Sequence, residues 1–216
     1  MKLWSYWRSS SAYRVRIALG LKGLSYEYVA VQLRAGGEQH QGAFAGINPM
    51  RQVPALEVGE AGQAAVLVQS MAIIEYLDER FPEPPLLPGS ALDRAHVRAL
   101  AELVNSGIQP LQNLDVLNEL EKGGLERQAW SRHFIARGLA ALELSARDRA
   151  GAFLVGDAPT LADVYLVPQL YNARRFALAL DAYPTLTRAD DSARALPAFQ
   201  AALPERQPDA EHSAPP

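Results

Sequence analysis

Cysteine is absent from the 216 residues of this chain. Without cysteine, the protein cannot carry a disulfide scaffold, a thiolate metal site or a cysteine nucleophile of its own. Any sulfur chemistry that the protein performs must therefore use a thiol supplied from outside.

An excess of charge of one sign and a long apolar run are also absent. Acidic and basic residues are mixed along the chain and leave a formal net charge of -3, with no stripe of Lys and Arg that would hold a phosphate backbone. The sequence contains no run of about 18 apolar residues that could span a bilayer. Its N-terminus also lacks the charged and apolar regions of a signal peptide. We therefore expect a cytoplasmic protein with no nucleic-acid partner, no membrane contact and no metal site.

The beginning of the chain predicts a β-α-β unit. Lys2 to Trp7 is short and aromatic-rich, as in a strand, and the segment from Tyr13 carries apolar residues at helical spacing until Gly23. Tyr26 to Val31 predicts a second strand. Because a helix connects the two strands, we expect them to pair in parallel.

A β-hairpin and a further helix follow in the sequence. Residues 53–58 and 65–68 flank a glycine-containing turn and predict two antiparallel strands, after which Ser70 is expected to cap a helix. The order β-α-β, then β-β-α, is that of a thioredoxin-like α/β domain, which we assign to residues 1–81.

A proline-rich linker separates this domain from a helical one. Four prolines fall among residues 81–89, which excludes a helix or a central strand there, and we assign residues 82–89 to the linker. Residues 90–206 predict an all-helical domain, and residues 207–216 are proline-rich and polar and predict a disordered tail. The helical spacing is clearest in residues 92–105, 114–120, 128–144 and 161–178.

Hydroxyl groups are concentrated where the first strand is expected to meet the first helix. Arg8, Ser9, Ser10 and Ser11 stand at this helix N-terminus, where free backbone N–H groups and the helix dipole favour a bound anion. A serine hydroxyl can donate a hydrogen bond to a thiolate there and so lower the pKa of the thiol. The same serines could instead cap the helix and do nothing more.

Two other segments of the first domain could bind an extended, peptide-like ligand. A cis Val53-Pro54 bond would expose the backbone N–H and C=O groups of Val53 to such a ligand, whereas a trans proline on an edge strand would not. Gln69 and Ser70 open the next helix, where they could receive a carboxylate or serve as an ordinary cap.

The helical domain contains an interruption and a capping box. Gly107 and Pro110 break the helical pattern and predict a kink that could turn polar side chains toward a ligand. Thr160 and Asp163 have the spacing of a capping box, to which we assign a role in folding. Arg175 lies late in the following helix, where a solvated charge is the simplest interpretation.

Taken together, these segments resemble the zeta-class glutathione transferase and maleylacetoacetate isomerase family. Arg8-Ser9-Ser10, followed by Arg14-Val15-Arg16, is similar to the family's Ser-Ser-Cys-x-x-Arg-Val-Arg signature, and the likeness covers nearly the whole chain. The family's cysteine is replaced by Ser11. The resemblance implies the glutathione transferase fold, glutathione as the cofactor and a homodimer.

The resemblance also implies roles for individual residues. Ser9 would stabilise the glutathione thiolate with the help of Ser10, and Arg8 and Arg175 would hold the carboxylates of a small-molecule dicarboxylate substrate. The residues implied to contact glutathione are Ser9, Ser10, Ser11, Arg14, Gln39, Gln52, Val53, Pro54, Gln69, Ser70, Gln109 and Asn113.

The implied reaction is the isomerisation of maleylacetoacetate to fumarylacetoacetate, by reversible thiolate addition, in aromatic amino acid catabolism. Three alternatives remain open. A maleylpyruvate isomerase would use the same thiol and the same arginines, and a conjugating transferase would join glutathione to electrophiles such as α-haloacids. A non-catalytic interaction module could also have this fold.

Overall fold

The structure is a computed structural model that describes residues 1–33, 37–60 and 62–210. The chain forms two compact units: Met1–Pro84 together with the C-terminal residues from Pro197, and Pro85–Leu196. This division differs from the predicted one at the C-terminal end, because residues 197–206 were expected in the helical domain. None of the described helices is both long enough and apolar enough to cross a membrane.

A four-stranded sheet organises the first unit. Its strands are β1 (Lys2–Ser5), β2 (Glu27–Ala30), β3 (Ala55–Glu60) and β4 (Gln63–Val68). They lie in the order β2-β1-β3-β4, with β1 parallel to β2 and antiparallel to β3, and β3 antiparallel to β4. The predicted parallel pair and the predicted hairpin are both confirmed.

Helices make up most of the remaining described structure. They are α1 (Ser10–Leu21), α2 (Gly42–Ile47), α3 (Ser70–Arg80), α4 (Ala91–Asn105), α5 (Leu114–Lys122), α6 (Arg127–Ala146), α7 (Leu161–Arg175), α8 (Pro184–Arg194) and α9 (Pro197–Ala201). The sequence did not predict α2, and it placed α8 and α9 in the all-helical region without giving their bounds. Helix α7 ends before the predicted Leu178, and Ala177 just beyond its end has a left-handed backbone with φ of 53°.

Helix α1 and helix α9 approach each other closely within the first unit. A Cβ added at Gly20 would lie 3.2 Å from the Cβ of Ala198 and 3.3 Å from its Cα, so a larger residue at position 20 would push the helices apart. The described residues after α9 also belong to the first unit.

The predicted disordered tail is wrong for Gln207 to Ala210, whereas residues 211–216 lie outside the described residues. The Nε2 of Gln207 donates to the carbonyls of Ala201, at 3.0 Å, and Leu203, at 2.8 Å. The side chain of Asp209 is 4% exposed. Composition did not predict this order, because it cannot show the hydrogen bonds that Gln207 makes to backbone carbonyls or the burial of Asp209.

The second unit is a bundle of helices α4 to α8. Its core is formed by aliphatic side chains that are at most 1% exposed, among them Leu100, Leu139, Leu142, Val164 and Leu170. Gly138 of α6 lies directly against Ile108, and an added Cβ at Gly138 would overlap the Ile108 side chain. The all-helical character predicted for this part of the chain is confirmed.

The predicted capping box of α7 is confirmed, and it is buried. Asp163 is 0% exposed. Its carboxylate accepts from the backbone N–H of Thr160 at 2.8 Å, from the Thr160 hydroxyl at 2.9 Å and from the backbone N–H of Leu154 at 2.8 Å. Burial raises the pKa of Asp163 from 3.8 to about 6, although these hydrogen bonds oppose the shift.

We predict that Asp163→Ala lowers the free energy of unfolding by about 2–4 kcal/mol, because it leaves buried N–H groups without an acceptor. The matched control is Asp93→Ala, which removes the exposed capping box of α4, in which Asp93 pairs with Ser90. Asp93→Ala should lower the free energy of unfolding by about 1 kcal/mol or less. Urea unfolding of the two variants measures the difference, and equal losses would contradict the prediction.

The Asp163 effect should also depend on pH. Because the pKa of Asp163 is raised in the folded protein, folding favours the protonated carboxyl. The stability that the Asp163 side chain contributes is therefore greatest below about pH 4 and falls as pH rises through about 6. The stability gap between the wild type and Asp163→Ala should therefore widen by about 1 kcal/mol between pH 7.5 and pH 5. A gap that narrows on acidification would show that the carboxylate, not the carboxylic acid, is the favoured form.

Candidate functional site

The predicted thiolate site lies at the N-terminus of α1. Ser9 is the N-cap of this helix, and its Oγ accepts a hydrogen bond from the backbone N–H of Ala12 at 3.2 Å. This bond occupies one lone pair of the oxygen and leaves the hydroxyl proton available for donation to a ligand. Capping and thiolate binding, the two interpretations of this serine, are therefore compatible in one side chain.

The surroundings of Ser9 favour an anion. Ser10 and Ser11 are the first helical residues, so their backbone N–H groups have no carbonyl one turn earlier in α1 to bond. The first turn of α1 contains no acidic residue that would offset the helix dipole. The guanidinium of Arg8 lies over the indole ring of Trp7, with its Cζ 5.1 Å from the ring centroid.

Arg14, for which a glutathione contact stays a prediction, joins α1 to the start of α3. The residue is 0% exposed, and its Nη1 donates to the Oγ of Ser70 at 3.3 Å, so its guanidinium is buried in the first unit. The sequence motif could not show this, because an arginine in a helix is usually exposed.

The start of α3 differs from the prediction by one residue. Gln69, not Ser70, is the N-cap, and Ser70 is the first helical residue and 4% exposed. Gln69 is exposed and has φ of 72° and ψ of 119°. A side-chain-bearing residue in this region of backbone conformation costs about 1–3 kcal/mol, and such residues are concentrated at ligand sites. The backbone at Gln69 thus makes this helix start a candidate ligand-binding position.

The Val53-Pro54 bond is cis, the first of the two alternatives that the sequence left open, and both residues are buried. The loop before it is held by Asn48, which the sequence reasoning missed. The Nδ2 of Asn48 donates to the Gln52 carbonyl at 2.6 Å, and its Oδ1 accepts from the Met50 N–H at 3.0 Å. An asparagine followed by proline is typical of such a turn, and this signal could have identified it.

Gln39 is used inside its own loop. It is 6% exposed, and its Nε2 donates to the Leu33 carbonyl at 3.3 Å. The glutathione contact that the resemblance implies for Gln39 stays a prediction. Residues 34–36 of the same loop lie outside the described residues.

The predicted interruption in the second unit is a complete break between α4 and α5, occupied by the short 3₁₀ helix Gln109–Gln112. Gln109 is partly exposed, and Asn113 caps α5 by accepting from the Asp115 N–H at 3.3 Å. Gln112, which the sequence reasoning missed, is buried and donates to the Oε1 of Gln169 at 2.7 Å. This bond fixes the break against α7.

Arg175 is the last residue of α7 and is exposed. Its Nη1 donates to the neutral amide oxygen of Asn172 at 3.0 Å. The adjacent Arg174 instead forms an ion pair with the buried carboxylate of Asp190 at 2.6 Å. The two neighbouring arginines thus differ: Arg174 has a structural anion, and the guanidinium of Arg175 lies at the protein surface.

The first unit brings the α1 and α3 helix starts together through the Arg14 to Ser70 bond. The positions predicted in Gln109, Asn113 and Arg175 belong to the second unit. Among the described residues, no group of three or more His, Asp or Glu side chains could hold a metal ion.

Comparisons with known proteins identify the family of the chain. Residues 1–79 match the model described as glutathione S-transferase, N-terminal domain, and residues 132–189 match glutathione S-transferase, C-terminal domain. The chain is 51% identical over 213 residues to the maleylacetoacetate isomerase of Pseudomonas aeruginosa, and the alignment covers 97% of this chain and 98% of that protein.

Solved structures give the same relationship. The maleylacetoacetate isomerase of Anaeromyxobacter dehalogenans 2CP-1, with glutathione bound in its active site, matches with a TM-score of 0.90 and 63% identity over 97% of each chain. A bacterial maleyl pyruvate isomerase of the zeta class matches with a TM-score of 0.91 and 44% identity, over 97% of this chain and 100% of that one. The chain therefore belongs to the glutathione S-transferase family, in the zeta class that includes the maleylacetoacetate isomerases.

Proposed function

We propose that this protein uses glutathione to isomerise maleylacetoacetate to fumarylacetoacetate in tyrosine degradation. The observation that carries the proposal is Ser9, whose hydroxyl caps α1 and retains a proton to donate at a partly exposed helix N-terminus. Identity of 51% to a maleylacetoacetate isomerase supports the choice of reaction.

The residues of the first unit fit glutathione chemically. The serines at the start of α1 suit its sulfur as an anion, and the N-terminus of α3 at Gln69 and Ser70 suits a carboxylate. The backbone of Val53 is a candidate partner for the peptide portion of the cofactor. Because the chain has no cysteine, the thiol for the reaction must come from this cofactor.

When bound, glutathione supplies a thiolate that adds reversibly to the cis double bond of the substrate, so that the bond can rotate before elimination. Ser9 holds the thiolate by hydrogen bonding, and the α1 N-terminus favours its negative charge. Arg8 and Arg175 are assigned to the substrate carboxylates, as the family resemblance implies, since a planar guanidinium can bind a carboxylate through two parallel hydrogen bonds.

A dicarboxylate substrate has further support from a relative. The Anaeromyxobacter protein has also been crystallised with dicarboxyethyl glutathione and citrate in its active site. Maleylpyruvate is the second candidate substrate, because a maleyl pyruvate isomerase shares the fold at 44% identity. We further propose that the protein is a cytoplasmic homodimer, as the family resemblance implies.

The deciding experiment follows the ultraviolet spectra of maleylacetoacetate and, separately, maleylpyruvate with the purified protein, with and without glutathione. Total free thiol is measured in parallel. Isomerisation that requires glutathione at constant thiol supports the proposal, and the faster substrate identifies the pathway. Stoichiometric loss of thiol with an α-haloacid, or no reaction of either dicarboxylate, would instead indicate a conjugating transferase or a non-catalytic module.

We predict that Ser9→Ala lowers turnover at least about tenfold, because the thiolate loses its hydroxyl donor. Loss of the cap should cost only about 1 kcal/mol of stability. Ser90→Ala is the matched control, since Ser90 caps α4 in the same way in the second unit. Steady-state kinetics with urea unfolding tests both variants, and near-normal turnover of Ser9→Ala would remove Ser9 from the mechanism.

We predict that Arg175→Ala raises the apparent KM for the dicarboxylate about tenfold or more, the cost of losing a charged hydrogen bond, and changes glutathione binding much less. Arg174→Ala is the control, because it removes the neighbouring guanidinium and its ion pair with Asp190. The control should lower stability and leave KM nearly unchanged. Equal weakening of substrate and glutathione binding by Arg175→Ala would point to misfolding.

A further inference from the structure

The loop between β1 and α1, residues 6–9, carries Arg8 and Ser9 and is held from both sides by charged side chains. The backbone N–H of Trp7 donates to the Oδ2 of Asp209 at 3.0 Å. The carbonyl of the same residue accepts from the Nη2 of Arg16 at 3.0 Å. Both polar backbone groups of one loop residue are thus bound to ionisable side chains.

Asp209 connects this loop to the sheet. It is 4% exposed, and its Oδ1 accepts from the phenol of Tyr28 at 2.7 Å. Tyr28 lies in β2, where it pairs with Leu3 of β1. Burial, reinforced by the bond to Asp209, raises the pKa of Tyr28, so the phenol remains a proton donor at all ordinary pH values. One carboxylate oxygen is therefore anchored to the sheet and the other to the loop.

Arg16 supports the loop from its other side. It is 2% exposed, and its Nε donates to the Ala202 carbonyl at 3.2 Å, while its Nη1 donates to the Oγ of Ser5 at 3.1 Å. The guanidinium thus joins the end of β1, the loop and the residues after α9. The C-terminal residues reach the loop by two separate routes, through Ala202 and through Asp209.

The loop transmits this constraint to the functional side chains. The indole of Trp7 lies under the guanidinium of Arg8. The backbone N–H of Ser9 donates to the Tyr6 carbonyl at 3.0 Å, which closes the turn that begins α1. A shift of the Trp7 backbone would therefore move the Arg8 guanidinium and the Ser9 hydroxyl together.

We propose that Asp209 is a positioning residue of the active site, which fixes the Trp7 backbone and thereby the hydroxyl of Ser9 and the guanidinium of Arg8. This assignment rests on the roles proposed above for those two residues. Burying a carboxylate adds little net stability, because its desolvation offsets much of the favourable energy of its hydrogen bonds. It suits a site in which a displacement of about 1 Å can cost about 100-fold in rate.

The test compares Asp209→Ala with Asp209→Asn, in the full chain. The amide oxygen of asparagine can still accept from the Trp7 N–H, whereas alanine removes the acceptor. Asp209→Ala should lower kcat about tenfold or more and reduce the ultraviolet absorbance of bound glutathione thiolate near neutral pH. In Asp209→Asn, kcat and the thiolate absorbance should both stay within about threefold of the wild type. This result is expected if the position of the Trp7 backbone matters more than the charge at residue 209.

Gln207→Ala controls for general loosening of the C-terminal segment. It removes two hydrogen bonds to the carbonyls of Ala201 and Leu203 and none to the β1–α1 loop. It should lower Tm by at least as much as Asp209→Ala while kcat stays within about twofold of the wild type. Loss of activity in Gln207→Ala equal to that in Asp209→Ala would overturn the positioning role, as would wild-type kcat in Asp209→Ala.

Two further outcomes are decisive. If Asp209→Ala does not fold, Asp209→Asn still decides, because a tenfold or larger loss in this variant would show that the acceptor alone does not position the loop. If the wild type turns over neither dicarboxylate, the proposed function fails by itself. The absorbance of bound thiolate in the three variants then still reports whether Ser9 is held in place.

Discussion

The arrangement of the first unit depends on the hydrogen bonds that the buried guanidinium of Arg16 donates. Its donors reach the end of β1, the loop that carries Arg8 and Ser9, and the carbonyl of Ala202 after α9. Burial lowers the pKa of this arginine, so the charge is tolerated only because backbone carbonyls and a serine hydroxyl surround it. One side chain therefore joins the beginning of the chain, at Ser5 and Trp7, to Ala202 after α9, and this junction holds the loop that carries Arg8 and Ser9.

The absence of cysteine determines what the rest of the site has to do. Since the reactive sulfur comes from glutathione, the protein contributes no nucleophile and has only to bind, orient and stabilise an anion. The start of α1 meets this need with a hydroxyl, free amides and no acidic residue in its first turn. Ser11, which stands where the family's signature has cysteine, lies at the same helix start.

The parts of the structure that were predictable from the sequence are those that depend on neighbouring residues. The hairpin, the parallel β1–β2 pair, the capping box at Thr160 and the break near Gly107 all follow from local patterns. The buried state of Arg14, the Gln112 to Gln169 bond and the order of Asp209 depend on partners between 56 and 202 positions away. No local pattern carries that information, so composition wrongly predicted disorder at Asp209, and nothing in the sequence around Arg14 predicted its burial.

The place of residues 197–210 in the first unit has a consequence for the order of events during synthesis. A ribosome releases residues 1–84 long before Ala202 and Asp209 exist, so the nascent N-terminal segment leaves Arg16 and the Trp7 amide without these two partners. The intervening helical unit is completed first. The loop that carries Arg8 and Ser9, together with Arg16, thus gains its full set of hydrogen bonds only after residues 202 and 209 have been synthesised, and a chain truncated before Ala202 lacks two of them.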